Sequence, residues 1–268
     1  MIGEGGYGCV YIGNPCEDSS YGASKVVNRR SALREIANGK RIRKIPNYQQ
    51  YFVPVESSCV VHSKKYKKTC RALRNTDDYM VLTFPYIHNV PIVFDRPVFV
   101  QMLTHLLILI KSKMVHFDLK IQNVLFTPNP LLIDFGISID MKKVYKDLRS
   151  NFFVYSPNQY EWPIEVHLLC YGMDHELTQE AIEKVCREVY KRNPFLRDLV
   201  ECIQHYSFLG KFTPKEAIRR LLHGWKTWDL YALTLMLFHT EEVEALRVNL
   251  HYNPKKRLSI AASRLAVS

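Results

Sequence analysis

The pattern of hydrophobic residues changes at Phe84 and Pro85, and this change separates two parts of the chain with different predicted secondary structure. The part before Phe84 is rich in short runs of β-branched and aromatic residues, which are typical of strands. It also contains one amphipathic stretch, residues 31–43, which predicts a helix with Ser31 as its N-cap. The strands are predicted at residues 9–12, 24–27, 59–62 and 79–83.

The part after Pro85 is predicted to be mostly helical, because its apolar residues recur with the helical period. The segment 84–91 contains two prolines and has no helical period, so it predicts a linker between two lobes. Two apolar runs, 106–110 and 230–238, are far shorter than the roughly 18 to 20 residues that span a bilayer, so we expect core helices and no membrane span. The helices are predicted at residues 97–113, 178–191, 214–223 and 227–238.

The chain carries 37 Lys and Arg against 26 Asp and Glu, a formal net charge of +11. A basic surface attracts anions, so a nucleotide, an acidic protein, nucleic acid and an acidic membrane surface all remain open as partners. The basic run at residues 64–68 predicts a solvated hairpin tip, with nucleic-acid contact as the alternative. The sequence contains none of the recognised nucleic-acid-binding modules, so nucleic acid is not the expected partner.

The seven cysteines form no Cys-x-x-Cys pair and no regular framework. We therefore predict reduced thiols and no cysteine-based metal site. The N-terminus has no basic region followed by an apolar run, so no secretory signal is predicted and the expected location is cytoplasmic.

Residues 3–10, Gly-Glu-Gly-Gly-Tyr-Gly-Cys-Val, fit the pattern G-x-G-x-x-G-x-V. Glycines in such a loop let backbone amides approach phosphate oxygens without a Cβ in the way. A Rossmann turn would lead into a helix, whereas Val10 begins a predicted strand. The segment therefore favours the phosphate-binding loop of a kinase over a Rossmann or Walker A loop.

A second segment, residues 116–123, has the spacing H-x-D-L-x-x-x-N, and Asp134-Phe135-Gly136 follows it. Between the two, a proline-containing turn lies between apolar runs, which predicts a β-hairpin. We expect this hairpin to bring Asp134 opposite Asp118, so that two carboxylates and the amide of Asn123 converge on one pocket.

These residue types suit phosphoryl transfer, which requires positioning, charge neutralisation and a proton acceptor rather than covalent catalysis by the protein. Asp118 is predicted to accept the proton of a substrate hydroxyl, and Lys120 to neutralise the γ-phosphate. Asn123 and Asp134 offer the hard oxygen ligands that magnesium prefers. His116 is expected to orient the loop.

With these motifs in their order, the chain resembles the eukaryotic-type serine/threonine protein kinases over nearly its whole length. The Asp118-Leu119-Lys120 sequence is similar to that of the serine/threonine branch. The resemblance implies ATP and Mg2+ as cofactors, protein substrates, and an α+β bilobal fold. The small β-rich N-lobe would span residues 1–83, the hinge 84–91, and the larger, mainly α C-lobe 92–268.

The resemblance also assigns an ATP site in the N-lobe. Lys25 corresponds to the lysine that bridges the α- and β-phosphates, and Glu35 to its ion-pair partner. Asn38 and Gly39 weaken the helix that carries Glu35, because both have low helix propensity. The residues predicted to bind the nucleotide are Gly3, Glu4, Gly5, Gly6, Tyr7, Gly8, Val10, Lys25, Glu35 and Leu82.

In the C-terminal half, residues 228–233 are similar to the family's central buried helix, which implies that Asp229 holds the catalytic loop. Residues 253–258 resemble the closing motif, whose arginine, here Arg257, pairs with the glutamate of an Ala-Pro-Glu triplet. In this chain the corresponding place reads Ser-Pro-Asn, at residues 156–158. The partner of Arg257 is therefore left open between Glu161, Glu165 and solvent.

Two departures from the family's pattern bear on regulation and completeness, and one finer resemblance bears on origin. Phe117 replaces the arginine that docks a phosphorylated activation loop, so basal activity is expected. Only Met1 and Ile2 precede the Gly-rich segment, which predicts a truncated or minimal N-lobe. The opening sequence is similar to kinases of large nucleocytoplasmic DNA viruses, so the expected location is host cytoplasm or virion.

Two other functions compete with this prediction. A catalytically silent pseudokinase would share the fold and act as a binding scaffold, which the unusual helix around Gly39 and the missing triplet glutamate keep open. A small-molecule kinase of the aminoglycoside or choline type would share H-x-D and a later aspartate, but such enzymes usually lack an equivalent of Lys120. The sequence does not indicate an oligomeric state or a physiological substrate.

Overall fold

The computed structural model describes a mixed α/β protein with a small antiparallel sheet. It divides into two compact units, the first formed by 1–92 and 122–138 and the second by 93–121 and 139–268. The segment 122–138, which we predicted as part of the C-lobe, packs with the first unit. The described residues are 1–5, 8–17, 19–60, 64–74, 78–90 and 93–267.

The first unit contains a five-stranded antiparallel sheet in the order β1-β2-β3-β5-β4. Lys25 on β3 pairs with Val10 on β2 and with Leu82 on β5, so it lies on a central strand. The strands predicted at 9–12, 24–27 and 79–83 are present, and each is longer than predicted. The strands are β1 (Gly3–Gly5), β2 (Gly8–Asn14), β3 (Ser19–Asn28), β4 (Ser57–Cys59) and β5 (Tyr79–Phe84).

The strand predicted at 59–62 differs from β4, which ends at Cys59. Its three residues pair with β5 at the edge of the sheet, with Ser57 opposite Thr83. Val61 and His62 lie outside the described residues.

Helix α1 (Arg29–Ile42) follows β3 directly, and the prediction of Ser31 as its N-cap was wrong. Asn28 is the cap, because its side-chain oxygen accepts a hydrogen bond from Ser31 N at 2.9 Å. The helix continues through Asn38 and Gly39, both buried. A Cβ on Gly39 would lie 3.3 Å from Val55 N, so the glycine allows a close approach of the backbone.

The basic run at 64–68 lies on a short helix, α2 (Lys64–Thr69), and not at a hairpin tip as predicted. The period-2 alternation that makes a hairpin is missing from this run, whereas lysine is a good helix former. Tyr66 packs edge-on against Tyr11 and Tyr79, which joins α2 to the sheet.

The prediction of reduced thiols was wrong for four cysteines. Disulfides join Cys9 to Cys70 and Cys16 to Cys59, across 61 and 43 residues of sequence. The first ties β2 to the residue that follows α2, and the second ties the turn after β2 to the end of β4. Disulfides persist in oxidising environments, so the cysteine pattern gives no support to a cytoplasmic location.

A hairpin of β7 (Val124–Phe126) and β8 (Pro130–Leu132) completes the first unit, as the sequence predicted. Leu132 forms a parallel bridge with Phe52, and its backbone exchanges hydrogen bonds with Tyr51 O and Val53 N at 2.9 Å each. These bonds attach residues 122–138 to the N-terminal part of the chain.

The second unit is helical apart from one short antiparallel pair, β6 (Met114–Val115) with β9 (Ile139–Asp140). Its centre is α9 (Trp228–Phe238), of which every residue is buried. No helix of the described residues is long and apolar enough to cross a membrane. The other helices are α3 (Arg96–Lys111), α4 (Leu148–Asn151), α5 (Ile164–Gly172), α6 (Gln179–Tyr190), α7 (Leu199–Tyr206), α8 (Pro214–Leu222) and α10 (Ile260–Leu265).

Candidate active site

The first unit contains a cavity of about 180 Å³ with mostly apolar walls and three charged side chains, Lys25, Glu35 and Asp134. Val10 and Lys25, two of the residues predicted to bind the nucleotide, line it from neighbouring strands. Sequence reasoning missed the rest of the apolar lining, which the period-2 alternation of the strands and the linker prediction could have indicated. These residues are Ile2, Ala23, Val53, Phe84, Pro85, Tyr86, Ile87, Leu125 and Ile133.

Lys25, Glu35 and Asp134 form a linked ion group in this cavity. Lys25 Nζ donates to Glu35 Oε2 at 3.0 Å and to Asp134 Oδ1 at 2.7 Å. The short Lys25 to Glu35 interval in the sequence does not prevent the contact, because α1 begins immediately after β3. The structure therefore brings together three residues that were predicted from separate motifs.

The two carboxylates determine the charge state of the lysine. Burial alone would lower the pKa of Lys25, but Glu35 and Asp134 outweigh that effect and hold the pKa above its usual value. Burial raises the pKa of Glu35 to about 7, with Lys25 opposing and Asp134 adding to the effect. The lysine is therefore cationic at neutral pH.

The β7–β8 hairpin sets the place of the two predicted magnesium ligands. Ile133 N donates to Asn123 O at 3.0 Å, so the two ends of the hairpin are joined just before Asp134. Asn123 is buried, whereas the side chain of Asp134 is 34% exposed. A carboxylate and an amide oxygen are hard donors that fit Mg2+, and the partial exposure of Asp134 leaves it accessible to an ion.

The backbone around Asp134 is held in an unusual conformation. Asp134 has φ = 60°, in the left-handed region that non-glycine residues rarely adopt. Asn38 on α1 donates from Nδ2 to Phe135 O at 2.8 Å and to Ser138 O at 2.9 Å. The ring of Phe135 is fully buried and packs edge-on against Phe52. Strained residues of this kind persist where surrounding contacts fix them, and they cluster at functional sites.

In the second unit, hydrogen bonds to Asp229 of α9 fix the loop that carries Asp118. Asp229 accepts hydrogen bonds from His116 N at 2.7 Å and from Phe117 N at 3.0 Å. Burial raises the pKa of Asp229, and these two bonds oppose that shift. Asp229 thus has the structural role that the resemblance implied.

Asp118 and Lys120 are paired at the end of this loop. Lys120 Nζ donates to both carboxylate oxygens of Asp118 at 2.9 Å. Glu161 lies near both residues. Burial raises the pKa of Glu161, the Asp118 carboxylate adds to the rise, and the Lys120 ammonium opposes it. From the sequence we predicted Glu161 only as a possible partner of Arg257. Nothing in the local sequence around Glu161 indicates that it lies beside Asp118.

Phe117 occupies an aromatic cluster in place of a basic residue. Its ring stacks on Trp162 with centroids 4.8 Å apart and also contacts Phe152 and Trp228. Its backbone has φ = 70°, and its carbonyl accepts a hydrogen bond from Trp162 Nε1 at 2.7 Å. The loop conformation is thus held by packing and by neutral hydrogen bonds.

The open question about Arg257 has a clear answer in the second unit. Its guanidinium donates to Glu165 Oε1 at 2.6 Å and to Glu165 Oε2 at 2.9 Å. The two side chains are 0% and 1% exposed, so this is a buried bidentate ion pair. The carboxylate that we sought at residues 156–158 is supplied by Glu165 on α5.

The remaining predicted nucleotide residues lie on or near the sheet. Gly3 and Gly5 are on β1, and Glu4 between them accepts a hydrogen bond from Arg71 N at 2.7 Å. A Cβ on Gly8 would lie 2.3 Å from Val26 O, so β3 itself requires glycine there. Leu82 is fully buried against α1 and is not part of the cavity lining. Gly6 and Tyr7 lie outside the described residues.

Comparison with known proteins adds no assignment, since the sequence matches no protein-family model and no curated protein.

Proposed function

We propose that this chain is an ATP- and Mg2+-dependent protein serine/threonine kinase with a bilobal fold. The observation that carries the proposal is the position of Lys25, which contacts Glu35 and Asp134 in a cavity with otherwise apolar walls. An ion pair between a strand lysine and a helix glutamate is the arrangement that fixes a nucleotide's phosphates in protein kinases. Residues 1–83 would be the N-lobe, 84–91 the hinge and 92–268 the C-lobe.

The cavity of the first unit suits a nucleotide whose base lies between apolar walls and whose phosphates reach the charged group. Val10 and Ala23 would cover one face of the base, and Leu125 the other. Lys25 would bind the α- and β-phosphates. The carboxylates of Glu35 and Asp134 keep its ammonium group cationic and hold it in place by hydrogen bonds. Bound Mg2+ would neutralise charge that develops on the phosphates, and Asn123 and Asp134 would hold it.

In the second unit, Asp118 has the role of the base. Its carboxylate would accept the proton of a serine or threonine hydroxyl as that oxygen attacks the γ-phosphorus. Lys120 would balance the negative charge on the transferred group, and its contact with both oxygens of Asp118 fixes the two side chains relative to each other. The hydrogen bonds that Asp229 accepts from His116 N and Phe117 N keep the loop in place, and Asp229 would not touch substrate.

The direct test is transfer of labelled phosphate. Purified protein is incubated with γ-labelled ATP, Mg2+ and a panel of basic and acidic proteins, and labelled residues are identified by mass spectrometry. We expect phosphoserine or phosphothreonine, and no label with Lys25→Met. Lys40→Met, at an exposed position of α1, is the matched control and should behave as the unmodified chain.

Other outcomes would decide against the proposal. Nucleotide binding without transfer to any substrate would identify a catalytically silent scaffold. Transfer only to small alcohols such as aminoglycosides or choline would assign the chain to the small-molecule kinases.

A further inference from the structure

The second unit contains a separate cavity of about 470 Å³, which lies within the range of about 300 to 1,000 Å³ typical of ligand sites. It is lined by residues of α5, α7 and α8 and of the segments 207–211, 223–227 and 253–255. Neither Asp118 nor Lys120 lines it. The residues proposed for ATP binding and phosphate transfer therefore do not line this cavity.

The cavity has an apolar floor and a basic edge. Tyr206, Leu209 and Leu221 line it and are buried. Arg220, Lys226 and Lys255 line it and are exposed, as is His223 beside them. A ligand that fits both surfaces combines an apolar or aromatic body with negative charge.

The positive charge of this cavity is not neutralised by its own lining. Glu165 is the only acidic residue among the described residues that line it, and both of its oxygens are bound by Arg257. Neither Lys226 nor Lys255 forms an ion pair with a described carboxylate. At neutral pH the edge therefore carries three cations. Arg220 interacts electrostatically with Glu216 on the same helix, but Glu216 does not line the cavity.

Two further observations support a site for a dianion. Arg220 lies over the ring of Phe212 at 3.9 Å, which fixes the position of its guanidinium. Burial lowers the pKa of His205, and Lys255 and Lys256 add to that shift while Glu165 opposes it, as expected in a positive field. A phosphate monoester carries close to two negative charges at neutral pH and matches the fork of an arginine.

We propose that this cavity binds a phosphate monoester attached to an aromatic or aliphatic body. The ester could be a phosphorylated side chain of a protein or a free phosphorylated small molecule, since both present the same chemistry. Arg220 and the two lysines bind the phosphate, and the buried tyrosine and leucines contact the body. This proposal does not depend on the proposed kinase activity.

The test is calorimetric binding of phenyl phosphate to the full chain. We expect saturable binding, no heat from phenol, and a loss of affinity of about tenfold or more in Lys226→Glu/Lys255→Glu. Lys215→Glu is the matched control, because Lys215 is exposed on α8 but does not line the cavity. Its affinity should stay within about twofold of the unmodified chain, since surface charges outside contact range are screened by salt.

A second variant separates this site from the nucleotide cavity. Lys25→Met should bind phenyl phosphate with unchanged affinity, and if that variant loses binding the probe occupies the first unit and the proposal is overturned. Absence of binding at millimolar phenyl phosphate, or equal losses in the Lys215 and Lys226/Lys255 variants, would also overturn it.

A phosphopeptide arm identifies the source of the ester. If a phosphotyrosine peptide binds more tightly than phenyl phosphate, the proposal is supported and the ligand is a phosphorylated protein side chain. If the two affinities are equal, the proposal is supported and the ligand is a free phosphate ester. Binding of a single-stranded oligonucleotide without any binding of phenyl phosphate would overturn the proposal in favour of nucleic acid.

Discussion

Lys25 Nζ lies 2.7 Å from Asp134 Oδ1, and this contact connects a central strand of the sheet to the residue that follows the β7–β8 hairpin. The same carboxylate is the predicted ligand of Mg2+, so the lysine and the metal would share one side chain. The side chain of Asp134 is 34% exposed, so solvent reaches it.

Asp134→Asn should abolish Mg2+-dependent phosphate transfer and leave the fold intact, because it removes a carboxylate from the metal and preserves side-chain volume. Transfer would be measured across a magnesium titration, with the melting temperature as the check on folding. Asp198→Asn is the matched control, since that residue is exposed and its side chain forms no cap on α7. Normal turnover by the Asp134 variant would rule out the metal assignment.

Asp118→Asn should lower kcat by roughly 10² to 10⁴ while ATP affinity changes little, because the amide cannot accept the hydroxyl proton. Turnover on one peptide and nucleotide binding by calorimetry would be measured side by side. If both fall together, Asp118 is structural or binds metal; if neither falls, the base lies elsewhere.

Treatment with a protein phosphatase should leave the activity unchanged. The basis is the position of Phe117, whose ring is packed among Phe152, Trp162 and Trp228 where an arginine would otherwise bind a phosphorylated loop. Mass spectrometry before and after treatment would establish that phosphate was removed. A large loss of activity after dephosphorylation would show that another cation performs the docking.

The stability of the first unit should depend on pH through Glu35. The pKa of Glu35 in the folded chain, about 7, exceeds its ordinary value of 4.5, so folding takes up a proton in the interval between them. The contribution of Glu35 to the free energy of unfolding therefore decreases as pH rises through that interval. The Glu35→Gln variant cannot ionise at this position. The melting temperature of the unmodified chain, measured relative to that of the variant, should therefore decrease between about pH 5 and pH 8.

An exposed glutamate provides the control for this experiment. Glu176→Gln should show no such trend, because Glu176 lies at the surface of the second unit. A difference between the Glu35 variant and the unmodified chain that stays constant or grows with pH would contradict the assigned direction of the pKa shift.

Removal of the disulfides should destabilise the first unit. Replacing Cys9 and Cys70 by serine releases a loop of 61 residues, and removal of a native disulfide typically costs about 2 to 5 kcal/mol. Variants test this better than a reducing agent alone, because both sulfurs are buried. Melting temperatures of the double variant and of the Cys16→Ser/Cys59→Ser variant would be compared with Cys170→Ser, which removes a free thiol. Equal temperatures in all three would contradict the prediction.

The sequence predicted the elements whose information is local. The helices α3, α6, α8 and α9 follow from their apolar period and lie within about two residues of the predicted bounds. Strand β3 was recognisable from Ser24 to Val27 because this segment contains two consecutive β-branched residues, Val26 and Val27. The hairpin before Asp134 was recognisable because a proline-containing turn separates two apolar runs.

Other features depend on distant partners and could not be predicted from local rules. Asn38 and Gly39 lower the helix propensity of α1, a penalty of at most about 1 kcal/mol each. They are retained because Asn38 bonds to backbone 97 and 100 residues away and because Gly39 admits the backbone at Val55. Tertiary contacts outweigh local preference here, so the feature that weakened the helix prediction positions Phe135.

The same limit explains the errors in pairing. Cysteine spacing does not encode which thiols meet, and the two disulfides span 61 and 43 residues. Arg257 finds Glu165 across 92 residues. The spacing of a motif led us to expect the partner carboxylate of Arg257 at residues 156–158. The ion pair depends instead on where the folded chain places α5, which carries Glu165.

The division of the chain into two units has a consequence for its synthesis. The first unit uses residues 1–92 and then 122–138, with part of the second unit encoded between them. The strands of the five-stranded sheet are therefore synthesised first. Leu132, which forms the bridge with Phe52, is synthesised only after α3. The N-terminal unit cannot complete its folding until residue 138 has emerged, and a fragment ending at residue 92 should expose the apolar surface that the β7–β8 hairpin covers.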